Sequence, residues 1–77
     1  ISGKWGFIDK SGRYAIKPQF CEARSFSEGV AAVSKTERAT GQGWGFIDKS
    51  GKFVIAPEYA LALSFHQGLA LVLTLNN

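Results

Sequence analysis

Trp5-Gly6-Phe7-Ile8-Asp9-Lys10-Ser11-Gly12 recurs letter for letter as Trp44-Gly45-Phe46-Ile47-Asp48-Lys49-Ser50-Gly51. The first four residues are aromatic or β-branched around one glycine, the composition of a strand. The last four are a turn. Its aspartate can hold its own backbone two residues on, and its glycine can adopt the left-handed conformation, which suits a type I turn closed by a G1 bulge. Arg13-Tyr14-Ala15-Ile16 then reads as the return strand of a hairpin, and Pro18, which has no N–H to give to a ladder, is expected to end it.

Working outward, a shift of 39 residues lays Lys4–Val33 on Gly43–Val72 without a gap, and sixteen of the thirty pairs are identical. Ile16/Ile55, Pro18/Pro57, Ser25/Ser64, Phe26/Phe65, Gly29/Gly68, Ala31/Ala70 and Val33/Val72 continue the identity beyond the opening block. A period of this size marks a repeat architecture, in which each unit buries its faces against its neighbours. Within a repeat, Phe20 and Phe26 are expected to fold onto the hairpin as lids. Glu22-Ala23-Arg24 would suit a helical turn around Cys21–Phe26. Gly29 should restart extended structure, with Val30-Ala31-Ala32-Val33 as a third strand. The reading is therefore all-β: an antiparallel hairpin meander from two tandem repeats of about three strands each, forming a small barrel or a twisted open sheet. The chain is one repeat unit over 1–77, with repeat one at 4–33, a connector at 34–43, repeat two at 43–72 and an end strand continuing to 75. The connector, polar with two glycines, should be an exposed loop. The strands either side of it should pair antiparallel.

Composition narrows the function. With 77 residues the core is small, and one cysteine and one histidine allow neither an intrachain disulfide nor a Cys/His metal cage. No metal or cofactor is expected. The net charge of +3 lies wholly in the first half: residues 1–42 hold seven Lys/Arg and four Asp/Glu, and residues 43–77 hold two of each. The basic residues are scattered singly rather than patched. The apolar run Leu69–Leu75 is too short to span a bilayer. Beginning at Ile1 without a methionine, the chain reads as a piece of a longer protein.

Lys4-Trp5-Gly6-Phe7-Ile8-Asp9-Lys10-Ser11-Gly12, followed by Ile16, Pro18, Phe20, Phe26, Glu28-Gly29 and Ala31-Ala32-Val33, resembles the WG (KWG) repeat of bacterial proteins, twice over and across nearly the whole chain. Repeat two departs from the pattern where Gly43 replaces the lysine, Gln67 replaces the acidic residue before Gly68, and Leu61 and Leu63 stand for Glu22 and Arg24. The resemblance implies a β-rich module used in tandem arrays, with no catalytic activity and no agreed functional residues. The expected function is thus a non-catalytic structural or protein-interaction module from a longer WG-repeat protein. The alternative is a carbohydrate or small-ligand module using its aromatic residues.

Trp5 and Trp44 could be stacking platforms, but Phe7 and Phe46 share their face two residues on, so both indoles are expected in the core under Phe26 and Phe65. Gly6 and Gly45 imply close approach of another group, expected to be an aromatic ring. Asp9 and Asp48 open turns, which explains them without acid–base chemistry. Cys21 aligns with Ala60 and reads as a small packed residue, and His66, aligned with Ser27, as part of a solvated turn. Lys4-Trp5-Gly6-Phe7-Ile8 also resembles the aromatic strands of cold-shock domains, but the unclustered charge makes nucleic acid an unfavoured partner. The expected partners are protein or neighbouring repeats. Leu69, Leu71 and Leu73 form an apolar strand whose counterpart turns polar at Ser34. It should either close the sheet back on repeat one or pair with a third repeat or another chain.

Overall fold

In the computed structural model, residues 3–35 and 43–74 are described, and all regular structure among them is strand. Repeat one contributes β1 (Trp5–Ile8), β2 (Tyr14–Phe20), β3 (Glu22–Ala23) and β4 (Ala31–Ser34), and repeat two contributes β5 (Trp44–Ile47), β6 (Phe53–Tyr59), β7 (Leu61–Ala62) and β8 (Val72–Leu73). Every pairing is antiparallel. β1 pairs with β2, β3 through β6 form one sheet in chain order, and β7 pairs with β8. The result is a meander that stays open, without closure into a barrel.

The eight-residue block folds as its sequence dictates. Gly12 N–H donates to Asp9 O at 3.0 Å, Asp9 N–H to Arg13 O at 2.8 Å, and Gly12 takes φ +91°. Asp9 Oδ1 accepts from Ser11 N–H, the Ser11 hydroxyl and Arg13 N–H, and Asp48 Oδ1 accepts the same three bonds in repeat two. Three donors on one carboxylate oxygen account for an aspartate at the start of each turn.

Beyond the turn, several expectations are corrected. Pro18 does not end the return strand: β2 runs through it to Phe20. The reason is an irregular register. Trp5 faces Phe20 and Phe7 faces Ile16, so the long strand bulges around Lys17–Gln19, where a missing N–H costs little. Gly6 sits opposite that bulge. A Cβ there would lie 2.7 Å from Ile16 O and Pro18 N, so the close neighbour is backbone and not an aromatic ring. Gly45 repeats the contact against Ile55 O and Pro57. The segment around Cys21 is the short strand β3, not a helical turn, because its backbone is taken up in pairing with β4: Cys21 N–H donates to Ser34 O and Arg24 N–H to Ala32 O. Each repeat therefore has four strands rather than three.

Two clusters form the core. Ile16, Phe20, Ala31, Val33 and Ile47 are buried together, with Phe7, Ala23, Phe26 and Phe53 against them. Ala32, Trp44, Phe46 and Ala62 form the second, with Val30, Ile55, Tyr59, Leu61, Phe65 and Ala70 around them. Phe26 is the expected lid on Phe7, and Phe65 on Phe46, edge-on at 4.8 Å, whereas Phe20 is no lid but the last residue of β2, paired with Trp5. Each cluster takes residues from both repeats. Alternation along β4 and β5 explains this, since Ala31, Val33 and Ile47 point into one cluster and Ala32, Trp44 and Phe46 into the other.

Candidate interaction surface

The joint between the repeats is the best-made part of the molecule. β4 and β5 pair in unbroken register, with Ala31, Ala32, Val33 and Ser34 opposite Ile47, Phe46, Gly45 and Trp44. All eight residues are buried. Arg24 of repeat one places its guanidinium 5.5 Å from the centre of the Trp44 ring, a cation–π contact.

A second set of contacts joins the tips. Ser27–Val30 is a two-residue hairpin turn closed by Ser27 N–H to Val30 O at 2.8 Å and the reverse bond at 3.2 Å. Glu28 and Gly29 both have positive φ, 55° and 87°, the type I′ geometry. Gln67 and Gly68 repeat it at 53° and 80°. In that geometry two consecutive N–H groups point the same way. Those of Gln67 and Gly68 receive the two carboxylate oxygens of Glu28, at 2.6 and 2.9 Å. The Ser27 hydroxyl donates to Phe65 O at 2.8 Å beside them. Partners 38 to 40 residues apart show that the first tip holds the equivalent point of the second repeat.

The outer faces carry the counterparts of the joint residues, identical in Trp5–Ile8 and altered at Leu71 and Leu73, without the same cover. Trp44 is 7% exposed and Ile47 0%, whereas Trp5 is 60% and Ile8 61% exposed. The expectation that both indoles are packed thus holds for Trp44 and fails for Trp5. The cause is positional: what covers Trp44 comes from the preceding repeat, and Trp5 has none before it within the described residues. Phe26 covers Phe7 rather than the indole. A groove of about 270 Å³ remains, lined by Trp5, Gly6, Phe7, Ala23, Arg24 and Phe26 among others. At the other end, Leu71 is 71% exposed although its counterpart Ala32 is fully buried. Among the described residues β8 pairs with β7 alone and does not close back onto repeat one, against the expected return of this strand to repeat one. Its two-residue extent is shorter than the strand expected over Leu69–Leu75, and Leu75 lies outside the described residues, as does most of the connector. Leu61, Leu63, Leu71, Val72 and Leu73 line an apolar hollow of about 310 Å³ there.

The remaining candidate residues are not brought together. Asp9 and Asp48 are each held within their own turn. Donation from the Ser11 hydroxyl, then from the Arg13 and Ser11 amides, lowers the Asp9 pKa below the usual carboxylate range, and Ser50, Lys52 and the Ser50 amide do the same for Asp48. Cys21 is half-buried rather than packed away, with its thiol 3.6 Å from Lys35 O and 3.7 Å from Lys4 Nζ. His66 opens the exposed second tip, as expected of a solvated turn. Among the described residues, no three His, Cys, Asp or Glu side chains lie together as metal ligands would, and no helix is long and apolar enough to cross a membrane. The sequence assigns no contact between repeats to Arg24, Ser27 or Glu28, whose side chains add to the β4–β5 joint. The available signal was an acidic or amide residue directly before a glycine, flanked by extended segments.

The family model described as WG containing repeat matches the chain twice, over residues 5–37 and 44–77. No curated protein matches the chain, and no solved structure does.

Proposed function

Since the chain belongs to the WG repeat family, as two tandem copies, we propose that it is a non-catalytic scaffold module that engages protein through its two end faces. The observation that supports this most is the contrast between joint and ends. One set of contacts is fully made between the repeats, and several of the counterparts of its residues, Trp5 and Ile8 at one end of the meander and Leu71 and Leu73 at the other, stand exposed. Exposed strand edges with apolar side chains are suited to strand addition, in which main-chain bonds give affinity and side-chain pockets give selectivity. The type I′ tip adds a charge-specific element, because its paired N–H groups donate to a carboxylate.

The test is a peptide carrying the sequence of Arg24–Lys35, titrated into the labelled chain and followed by amide chemical shifts. Binding is expected to shift Trp5–Ile8 and the amides of Glu28 and Gly29. Shifts scattered over the surface, or none, would refute engagement through this face. A second reading has one observation in its favour, the exposed Trp5 indole over its groove, which would suit a sugar ring. A glycan array probed with the chain and with Trp5→Ala separates the two: hits lost in the variant favour the sugar.

A further inference from the structure

We propose that the two ends of the chain are complementary halves of one joint, so that a second molecule of this same chain adds head to tail. The inference rests on the scaffold reading and fixes its partner and register. The internal joint supplies the geometry. Carrying its register over by one repeat sets Ala70, Leu71, Val72 and Leu73 of one molecule opposite Ile8, Phe7, Gly6 and Trp5 of the next.

Three features meet in that register. First, the groove beside Trp5 and Phe7 occupies the position at which, in repeat two, Val30 and Ala32 pack against Trp44 and Phe46. Leu69 and Leu71 hold those places on the incoming molecule, and they are the larger side chains that an unfilled groove of about 270 Å³ accepts. Second, the Glu28 and Gly29 amides have the same positive-φ arrangement as the Gln67 and Gly68 amides, and among the described residues they have no acceptor. Gln67 of the incoming molecule faces them, with its amide oxygen as the single acceptor where Glu28 offers two. Third, Leu63 stands where Arg24 covers Trp44, so an apolar side chain covers Trp5 instead of a cation.

Charge favours this direction over a symmetric contact between two N-terminal faces. The neutral half, residues 43–77, meets the half carrying the whole net charge of +3, whereas two N-terminal faces together would set like charge on like. A heterologous contact of this kind leaves one face free at each end of a dimer, so growth continues past two molecules, to a ring or a filament.

Sedimentation velocity over a concentration series tests this with two exposed-site variants. Trp5→Asp spoils the accepting face and Leu71→Asp the donating face, and neither residue is part of the buried core. The wild-type mass is expected to climb with concentration past that of a dimer. Each variant alone should stay monomeric, and an equimolar mixture should form a dimer through the one intact pair of faces. Gln67→Glu should tighten wild-type association about tenfold by restoring the two-oxygen clasp. A monomeric wild type, a wild-type mass that stops at the dimer, or a mixture that stays monomeric overturns the proposal. If the Arg24–Lys35 peptide still shifts Trp5–Ile8 in that case, the scaffold reading stands and the partner is a different protein.

Discussion

Replacing Trp44 with alanine should cost more stability than replacing Trp5, although both lie in the same eight-residue block. Trp44 is almost fully buried between Ala32 of repeat one and Phe46 and Ala62 of repeat two, under Arg24. Truncating a buried tryptophan removes its transfer energy and leaves a cavity that the neighbours fill only in part, about 3–5 kcal/mol. Loss of the Arg24 contact is contained in that sum, at about 0.5–1 kcal/mol for a cation near solvent. Trp5 has most of its surface in water and leaves no enclosed cavity, so its truncation should cost about 1.5–2.5 kcal/mol. A domain of this length has roughly 4–12 kcal/mol in total. Trp44→Ala therefore threatens the fold itself, with the melting temperature falling by more than about 12 °C. The assay is urea unfolding followed by far-ultraviolet circular dichroism, which does not depend on indole fluorescence. Equal losses for the two variants would refute the claim that the preceding repeat supplies the burial.

Gly45→Ala should destabilise by about 1–2 kcal/mol in a thermal melt, because a Cβ placed 2.6 Å from Ile55 O costs more than the unfolded-state gain from losing glycine. A raised melting temperature would contradict the backbone contact. Asp9 and Asp48 have folded pKa values lowered below 3.8, so their contribution is complete above the unfolded value and lost as pH falls through the folded one. Melts between about pH 2 and pH 6 should therefore show an acid slope that flattens in the double Asp→Asn variant. Removing one indole at a time should leave blue-shifted, poorly quenched emission in Trp5→Phe and solvent-like, readily quenched emission in Trp44→Phe. Matching spectra would mean that the two indoles share one environment.

Much of this was legible in the sequence. The Asp-Lys-Ser-Gly turn encodes itself locally, because one aspartate oxygen and one left-handed glycine suffice, and the family and its two copies follow from identity at a fixed period. Antiparallel pairing of β4 with β5 followed from the apolar strands either side of a polar connector. What stayed hidden depends on neighbours distant in sequence. Pro18 looks like a strand end until the bulge opposite Gly6 is seen to need no N–H. Trp5 and Trp44 are the same letter in the same block, and only position in the stack separates them. Glu28 looks like a solvated charge before a glycine, and its role appears only when the next tip, 39 residues on, lies within reach of its carboxylate.

The central claim is that the fold is held at the joint between the repeats, with its two ends left open. Native-state hydrogen exchange measured residue by residue tests it most directly. Amides of Ala31–Ser34 and Trp44–Ile47 that bond across the joint should exchange slowest, by global unfolding, while those of Val72 and Leu73 and the outward-facing amides of Trp5–Ile8 exchange orders of magnitude faster. Protection as high at the ends as at the joint in dilute monomeric protein, or a joint that opens as readily as the ends, would contradict it.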